Sequence, residues 1–92
     1  MNLFVGIGKI IDVRQNGRTL RFCLDVSDRK ACHVPCVLFE PSERLKNFIE
    51  QMQAEEQPVW LQGRLSSYEF ENQGRSLLRI EVITRPNGIK TL

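Results

Sequence analysis

Glu40-Pro41-Ser42-Glu43-Arg44-Leu45-Lys46-Asn47-Phe48-Ile49-Glu50-Gln51-Met52 is the stretch where the chain changes its hydrophobic period, and the fold turns on it. Leu45, Phe48, Ile49 and Met52 recur at i, i+3, i+4 and i+7, the apolar stripe of an amphipathic helix packed on a sheet. Pro41 suits a first helical turn, and Glu43 suits the positive end of the helix dipole. The pattern runs out in Gln53-Ala54-Glu55-Glu56-Gln57, and Pro58 stops it.

On both sides of this helix the period is two. Upstream, Leu3, Val5, Ile7, Ile11 and Val13 share one parity, with Gly6 and Gly8 on the other, where a bend, a bulge or a close backbone neighbour is expected. Asn16-Gly17 is a strong hairpin signal. A clean alternation follows, with Leu20, Phe22, Leu24 and Val26 inward and Arg21, Cys23 and Asp25 outward. Ser27-Asp28-Arg29-Lys30 is a polar turn. A third strand carries Val34, Cys36 and Leu38 on one face and His33, Pro35, Val37 and Phe39 on the other. Pro35 removes a backbone donor, so an edge or a bulge is expected beside it.

Downstream, Val59, Leu61, Gly63 and Leu65 alternate with Trp60, Gln62, Arg64, Ser66, Tyr68 and Phe70. Glu71-Asn72-Gln73-Gly74-Arg75 is a turn, and Leu78, Ile80 and Val82 make the last strand. Three strands, a helix and two strands in this order are the elements of the OB-fold, an all-β, five-stranded Greek-key barrel with one helix between strands three and four; order alone leaves other small α+β folds open. The barrel domain is expected over residues 1–84, and residues 85–92 are expected as a C-terminal tail.

The chain of 92 residues is 41% hydrophobic and 26% charged, an ordinary globular composition for a single domain. At this length the core is thin, which favours oligomerisation. No apolar run approaches the ~18 residues of a membrane-spanning helix. Met1-Asn2-Leu3-Phe4 does not read as a signal peptide, so a cytoplasmic or plastid location is expected.

Cys23, Cys32 and Cys36 are an odd number without a disulfide-framework spacing, which points to reduced thiols. A metal site would join Cys32, His33 and Cys36 with Cys23. On a strand, however, residues four apart lie about 13 Å from each other, and His33 points to the opposite face. No metal or cofactor is expected, and the cysteines read as small core residues. One histidine, no paired carboxylates and no phosphate-cradling glycine loop leave nothing from which to build an enzyme's active site.

The net charge of +2 is sorted along the chain. Residues 1–39 carry +3, residues 40–58 carry −3 and residues 59–92 carry +2. The strands are therefore basic and the helix segment acidic, the sorting a phosphate-binding face needs. Arg21, Arg64, Arg75 and Arg79 are the leading candidates, with Arg14, Arg18, Arg29 and Lys30 in loops. Tyr68 and Phe70, between Glu69 and Glu71, are candidate base-stacking rings, whereas Trp60 reads as barrel rim or interface.

Several segments resemble the bacterial single-stranded DNA-binding protein (SSB) family. Val5-Gly6-Ile7-Gly8-Lys9-Ile10 resembles its first strand and Phe22-Cys23-Leu24 its second. Val37-Leu38-Phe39 with Arg44-Leu45-Lys46 resembles the third strand and the helix start. Val59-Trp60-Leu61-Gln62-Gly63-Arg64-Leu65 with Phe70, Asn72-Gln73-Gly74-Arg75 and Ile80-Glu81-Val82 resembles the fourth strand, its hairpin and the last strand. The resemblance spans Leu3 to Ile83. It implies binding of single-stranded DNA, or RNA, without sequence preference, by base stacking and phosphate contacts, in replication, repair or recombination.

Carried over by position, Phe39 and Phe70 match stacking aromatics. His33 stands where the family has a Trp, and Pro35 replaces a basic residue. The loop that carries a further Trp is cut to Ser27-Asp28-Arg29-Lys30. The ending Ile89-Lys90-Thr91-Leu92 is similar to the short, tail-less members: primosomal replication protein N and the SSB-like proteins of cyanobacteria and plastids. These imply a homodimer, or a homotetramer, joined through Leu3, Phe4 and Val5. The competing expectation is an OB-fold that kept the scaffold and serves as a protein-interaction subunit of a larger assembly.

Overall fold

A computed structural model describes residues 1–92. Its elements are β1 (Phe4–Asn16), β2 (Thr19–Asp25), β3 (His33–Phe39), α1 (Glu43–Ala54), β4 (Val59–Asn72) and β5 (Arg75–Thr91). The sheet closes into a barrel in the order β1-β2-β3-β5-β4, with β3 and β5 parallel and every other pair antiparallel. The element order and the closure are those of the OB-fold.

Alternation fills the barrel. Ile10, Leu20, Phe22, Leu24, Cys36, Leu38, Val59, Leu61, Val82 and Ile89 point inward, and Ile49 and Met52 of α1 close one end. Leu45 and Phe48 pack against this core from the rim. Ser42 is the helix cap, its hydroxyl accepting from the Leu45 N–H at 3.2 Å. Pro41 thus lies one residue outside the helix rather than in its first turn, because the cap position needs a hydroxyl acceptor that proline lacks. The helix ends at Glu55, and Glu56 takes a positive φ of 51° before Pro58.

β1 serves two neighbours. Phe4–Gly8 pair with β4 and Lys9–Asn16 pair with β2. A register shift between Ile11 and Arg14, where Asp12 takes φ 54°, marks a bulge within the half that pairs with β2, away from Gly6 and Gly8. Gly8 and Gly63 serve close approach instead: a Cβ on Gly8 would fall on the Asp25 carbonyl, and one on Gly63 on the Ile83 carbonyl. The β1–β2 turn is Gly17-Arg18, one residue later than the Asn-Gly signal, since Asn16 still pairs with Thr19.

The expected tail is not a tail. Thr91, Lys90 and Ile89 pair with Val59, Trp60 and Leu61, and Ile89 is buried in the core. Pro86-Asn87-Gly88 obscured this in the sequence: it marks the β4–β5 register shift between Leu61 and Gly63 rather than the strand's end. No helix is long and apolar enough to cross a membrane.

Candidate nucleic-acid interface

The barrel's outer face between β2, β3 and the β4–β5 hairpin gathers most of the candidate residues. Antiparallel register puts Thr19, Arg21, Cys23 and Asp25 of β2 opposite Phe39, Val37, Pro35 and His33 of β3. Parallel pairing then brings β5 alongside, with Val37 matched to Ile83. Val37 is fully buried yet lies outside the core cluster. It is the floor of the outer face, roofed by neighbours on that same side.

Across this floor, Asp12, Arg14, Arg21, Phe22, Cys23, Pro35, Cys36, Arg79 and Glu81 line a cleft of about 230 Å³. Arg14, expected in a loop, belongs to β1 and pairs with Arg21. The bulge at Asp12 is what turns it onto this face. The Arg21 guanidinium donates to Glu81 Oε2 at 2.7 Å, and the Glu81 side chain is only 9% exposed. Arg21 also sits 6.0 Å from the centre of the Tyr68 ring. Arg14 and Arg79 have no carboxylate within ion-pair distance, which leaves their charge for a ligand.

The hairpin supplies the rings. Tyr68 pairs with Arg79, and Phe70 pairs with Leu77. The two aromatic centroids lie 6.0 Å apart, tilted by 45°, and both rings are half-exposed. The two-residue turn Gln73-Gly74 has positive φ at both positions, the twist that lets the hairpin project without splaying. Arg75 stands at this turn, paired with Asn72 and remote from the cleft. Arg64, opposite Ile83, is exposed nearer the barrel wall.

Phe39 and His33 mark opposite ends of β3. Phe39 is 54% exposed, next to the Arg18–Glu40 pair. Six residues away, about 20 Å along a strand, His33 is exposed, with Nε2 3.8 Å from Asp25 Oδ1. Hydrogen bonds from Ser27 hold the Asp25 carboxyl below its usual range. Arg29 and Lys30 stand exposed in the turn, whose ends are tied by Val26 N–H to the Cys32 carbonyl.

Of the cysteines, Cys36 is the core residue expected. Cys23 is half-buried on the outer face, and Cys32 is exposed in the turn, so neither belongs to the core. Burial raises two of the thiols, Cys23 upward from its ordinary value and Cys36 to about 12. Both are therefore held as thiols and not as reactive thiolates.

The expected interface residues divide. Leu3 and Val5 are about half exposed, and Ile7 joins them on the same face. Phe4 points the other way: it packs on the core, its ring covering Gly6. Glu81 was not legible as a site residue. Its parity with Arg79 was visible, but only the β3–β5 pairing brings it against Arg21.

No protein-family model matches the chain, and no curated protein matches it either. Solved structures do. The chain is similar to a Plasmodium falciparum SSB in complex with ssDNA, with TM-score 0.70 and 17% identity over 98% of this chain and 91% of that one. It is similar to Rim1, a mitochondrial single-stranded DNA-binding protein of S. cerevisiae, with TM-score 0.72 and 17% identity over 99% and 94%. It is also similar to the OBody NL8 bound to hen egg-white lysozyme, with TM-score 0.68 and 18% identity over 100% and 94%. At these identities the likeness is one of fold.

Proposed function

We propose that this chain is an SSB-like OB-fold that binds single-stranded nucleic acid across the outer face of β2, β3 and the β4–β5 hairpin. The observation that carries the reading is a cleft lined by Arg14, Arg21 and Arg79, with the Tyr68 ring beside Arg21 and Phe70 beside Tyr68 on the same face of the hairpin. Rings offer stacking surfaces that every base can use, and free guanidiniums offer phosphate contacts; single-strand binders combine these two. The fold shared with two single-stranded DNA-binding proteins supports it.

Base–aromatic stacking is worth ~1–3 kcal/mol per base, so affinity here rests on few platforms: Phe39, Tyr68 and Phe70, with His33 as a smaller fourth. A role in replication, repair or recombination follows from this reading. So does assembly as a homodimer or homotetramer through the exposed face of Leu3, Val5 and Ile7.

The test is fluorescence anisotropy of labelled thymine and uracil oligomers at low and moderate salt. Binding is expected to weaken steeply with salt, and to fall further in Phe39→Ala and Phe70→Ala. No binding at tens of micromolar protein in low salt overturns the reading. The second reading, an OB-fold that docks on protein, is favoured by Leu65, Leu78 and Ile80, which stand exposed on the hairpin's other face. The OBody shares this barrel fold and is bound to lysozyme. Oligomer binding that survives Phe39→Ala and Phe70→Ala unchanged would favour that reading of the hairpin.

A further inference from the structure

β4 sorts its side chains by parity. Its rings, Trp60, Tyr68 and Phe70, and its arginine, Arg64, fall on one side, while its carboxylates, Glu69 and Glu71, fall on the other. Pairing with β1 keeps one register from Phe4–Gly63 to Gly8–Val59, so the alternation of β4 runs unbroken into the barrel half. The interface described above uses only the hairpin end of this row. Trp60 stands at its other end, about 26 Å from Tyr68 along the strand.

Trp60 has surroundings of its own. β5 bulges opposite Gln62: Gly63 pairs with Thr84 and Leu61 with Ile89, so Arg85, Pro86, Asn87 and Gly88 share a single position of the ladder. Gly88 passes so close that a Cβ there would fall on the Gln62 carbonyl, and Arg85 and Asn87 stand out from the bulge, exposed. With Trp60, Gln62 and Lys90 these residues line a cleft of about 280 Å³. No carboxylate lines it, and neither Arg85 nor Lys90 has an acidic partner.

The Trp60 ring is half-exposed, with Lys90 Nζ 5.9 Å from its centre. That is close to the ~6 Å limit of a cation–π contact, so a phosphate, which offers a full charge, draws the ammonium off the ring. A second copy packed symmetrically across Trp60 would bring both sets of these cations into one interface with no carboxylate to meet them. A phosphate backbone meets them favourably.

We propose that a single strand bound at the hairpin continues along the outward row of β4, past Arg64, to a second platform, where a base stacks on Trp60 while Arg85 and Lys90 hold the adjoining phosphates. The inference rests on the single-strand reading of the hairpin face and adds a site in the barrel half and a path between the two. A strand too short to span the row occupies the hairpin end alone.

Trp60 is the only tryptophan of the chain, so its emission reports this platform by itself. The test follows that emission as thymine oligomers of about four and about sixteen nucleotides are added, the two ends of the site size of an OB-fold. Anisotropy of the same oligomers, labelled, measures binding in parallel. The longer oligomer is expected to quench Trp60 in step with its binding, and the shorter one to leave the emission unchanged. In the double variant Arg85→Ala/Lys90→Ala the slope of log affinity against log salt for the longer oligomer is expected to fall by about two, one for each phosphate contact.

Saturated binding of the longer oligomer with unchanged emission overturns the proposal and leaves the single-strand reading standing. A salt slope that the double variant does not alter overturns it too, since the two cations would then meet no phosphate. Equal quenching by the two lengths overturns the shared path. Absence of binding by both oligomers overturns the single-strand reading, and the second platform falls with it. The emission titration is made on the unaltered chain, so it holds whatever the stability of the variant.

Discussion

The β4–β5 ladder is one continuous hairpin with two unlike halves. In its barrel half, Val59 and Leu61 are fully buried, and Ile89 closes against them from the returning strand. In its projecting half, residues 71–80 are all exposed, including Leu77, Leu78 and Ile80. Pairing is uninterrupted from Gly63–Thr84 to Asn72–Arg75, and the register shift between Leu61 and Gly63 sets off only the last pairs, Val59–Thr91 to Leu61–Ile89. What differs is what stands opposite the inward face: in the barrel half it is the three other strands and a helix, and in the projecting half it is solvent. Backbone pairing can thus extend a strand beyond the core, and the extension is free to carry rings and charges that a core would reject.

That division has consequences of very different size. Leu61→Ala is expected to cost about 2–5 kcal/mol, the loss of a fully buried leucine and the cavity it leaves. Leu78→Ala, 67% exposed on the projecting half, is expected to stay within ~0.5 kcal/mol. Urea denaturation of both variants checks this, and similar losses at the two sites would erase the contrast.

Removing Ile89-Lys90-Thr91-Leu92 sharpens the barrel side of the comparison. These residues pair with Val59, Trp60 and Leu61, and Ile89 is buried. The shortened chain is expected to lose about 2–4 kcal/mol, a core side chain with its ladder pairs. A melting temperature equal to that of the whole chain would mean that the segment is a tail after all.

On the projecting half the readout changes from stability to binding. Tyr68→Ala is expected to weaken oligomer binding by about 1–3 kcal/mol with little change in the urea midpoint. Arg79→Ala should lower the slope of log affinity against log salt by about one. A variant that unfolds before it stops binding would place Tyr68 in the core instead.

The smallest effect lies at the far end of β3. Hydrogen bonds from Ser27 lower the Asp25 carboxyl, so its contribution is present above the ordinary carboxylate range and fades as pH falls through the lowered value. Melting temperatures followed through that acid range are expected to fall slightly more for the native chain than for Asp25→Asn. Parallel curves would remove Asp25 from the account.

Much of this was legible in residue order. The helical stripe Leu45-Phe48-Ile49-Met52 between two period-two regions is enough for a helix packed on a sheet, because such a stripe has one face to bury and the alternating strands supply the floor; the residue resemblance narrowed this to an OB-fold. Phe39, Tyr68 and Phe70 were visible as outward aromatics for the same reason. The rest depends on which strands become neighbours. Val37 and Glu81 lie 44 residues apart in sequence and meet the same outer face only through the parallel β3–β5 pairing, a long-range contact without a local signature. Phe4 was expected beside Leu3 and Val5 at the interface only from the resemblance, although its parity is the opposite one; its ring settles over Gly6, where a Cβ would leave no room. The last strand was cut short because Pro86-Asn87-Gly88 is also what a chain end looks like.

The central claim is that the face carrying Arg21, Tyr68, Arg79 and Phe70 is where a single strand lies. The most direct measurement is the backbone amide NMR spectrum of the labelled protein, followed as a short single-stranded oligonucleotide is added. The account predicts that the amides that move belong to β2, β3 and the projecting half of the β4–β5 hairpin, Arg21, Val37, Tyr68 and Arg79 among them. Shifts confined to Leu3–Ile7 and α1, or a spectrum unchanged at saturating oligonucleotide, would contradict it.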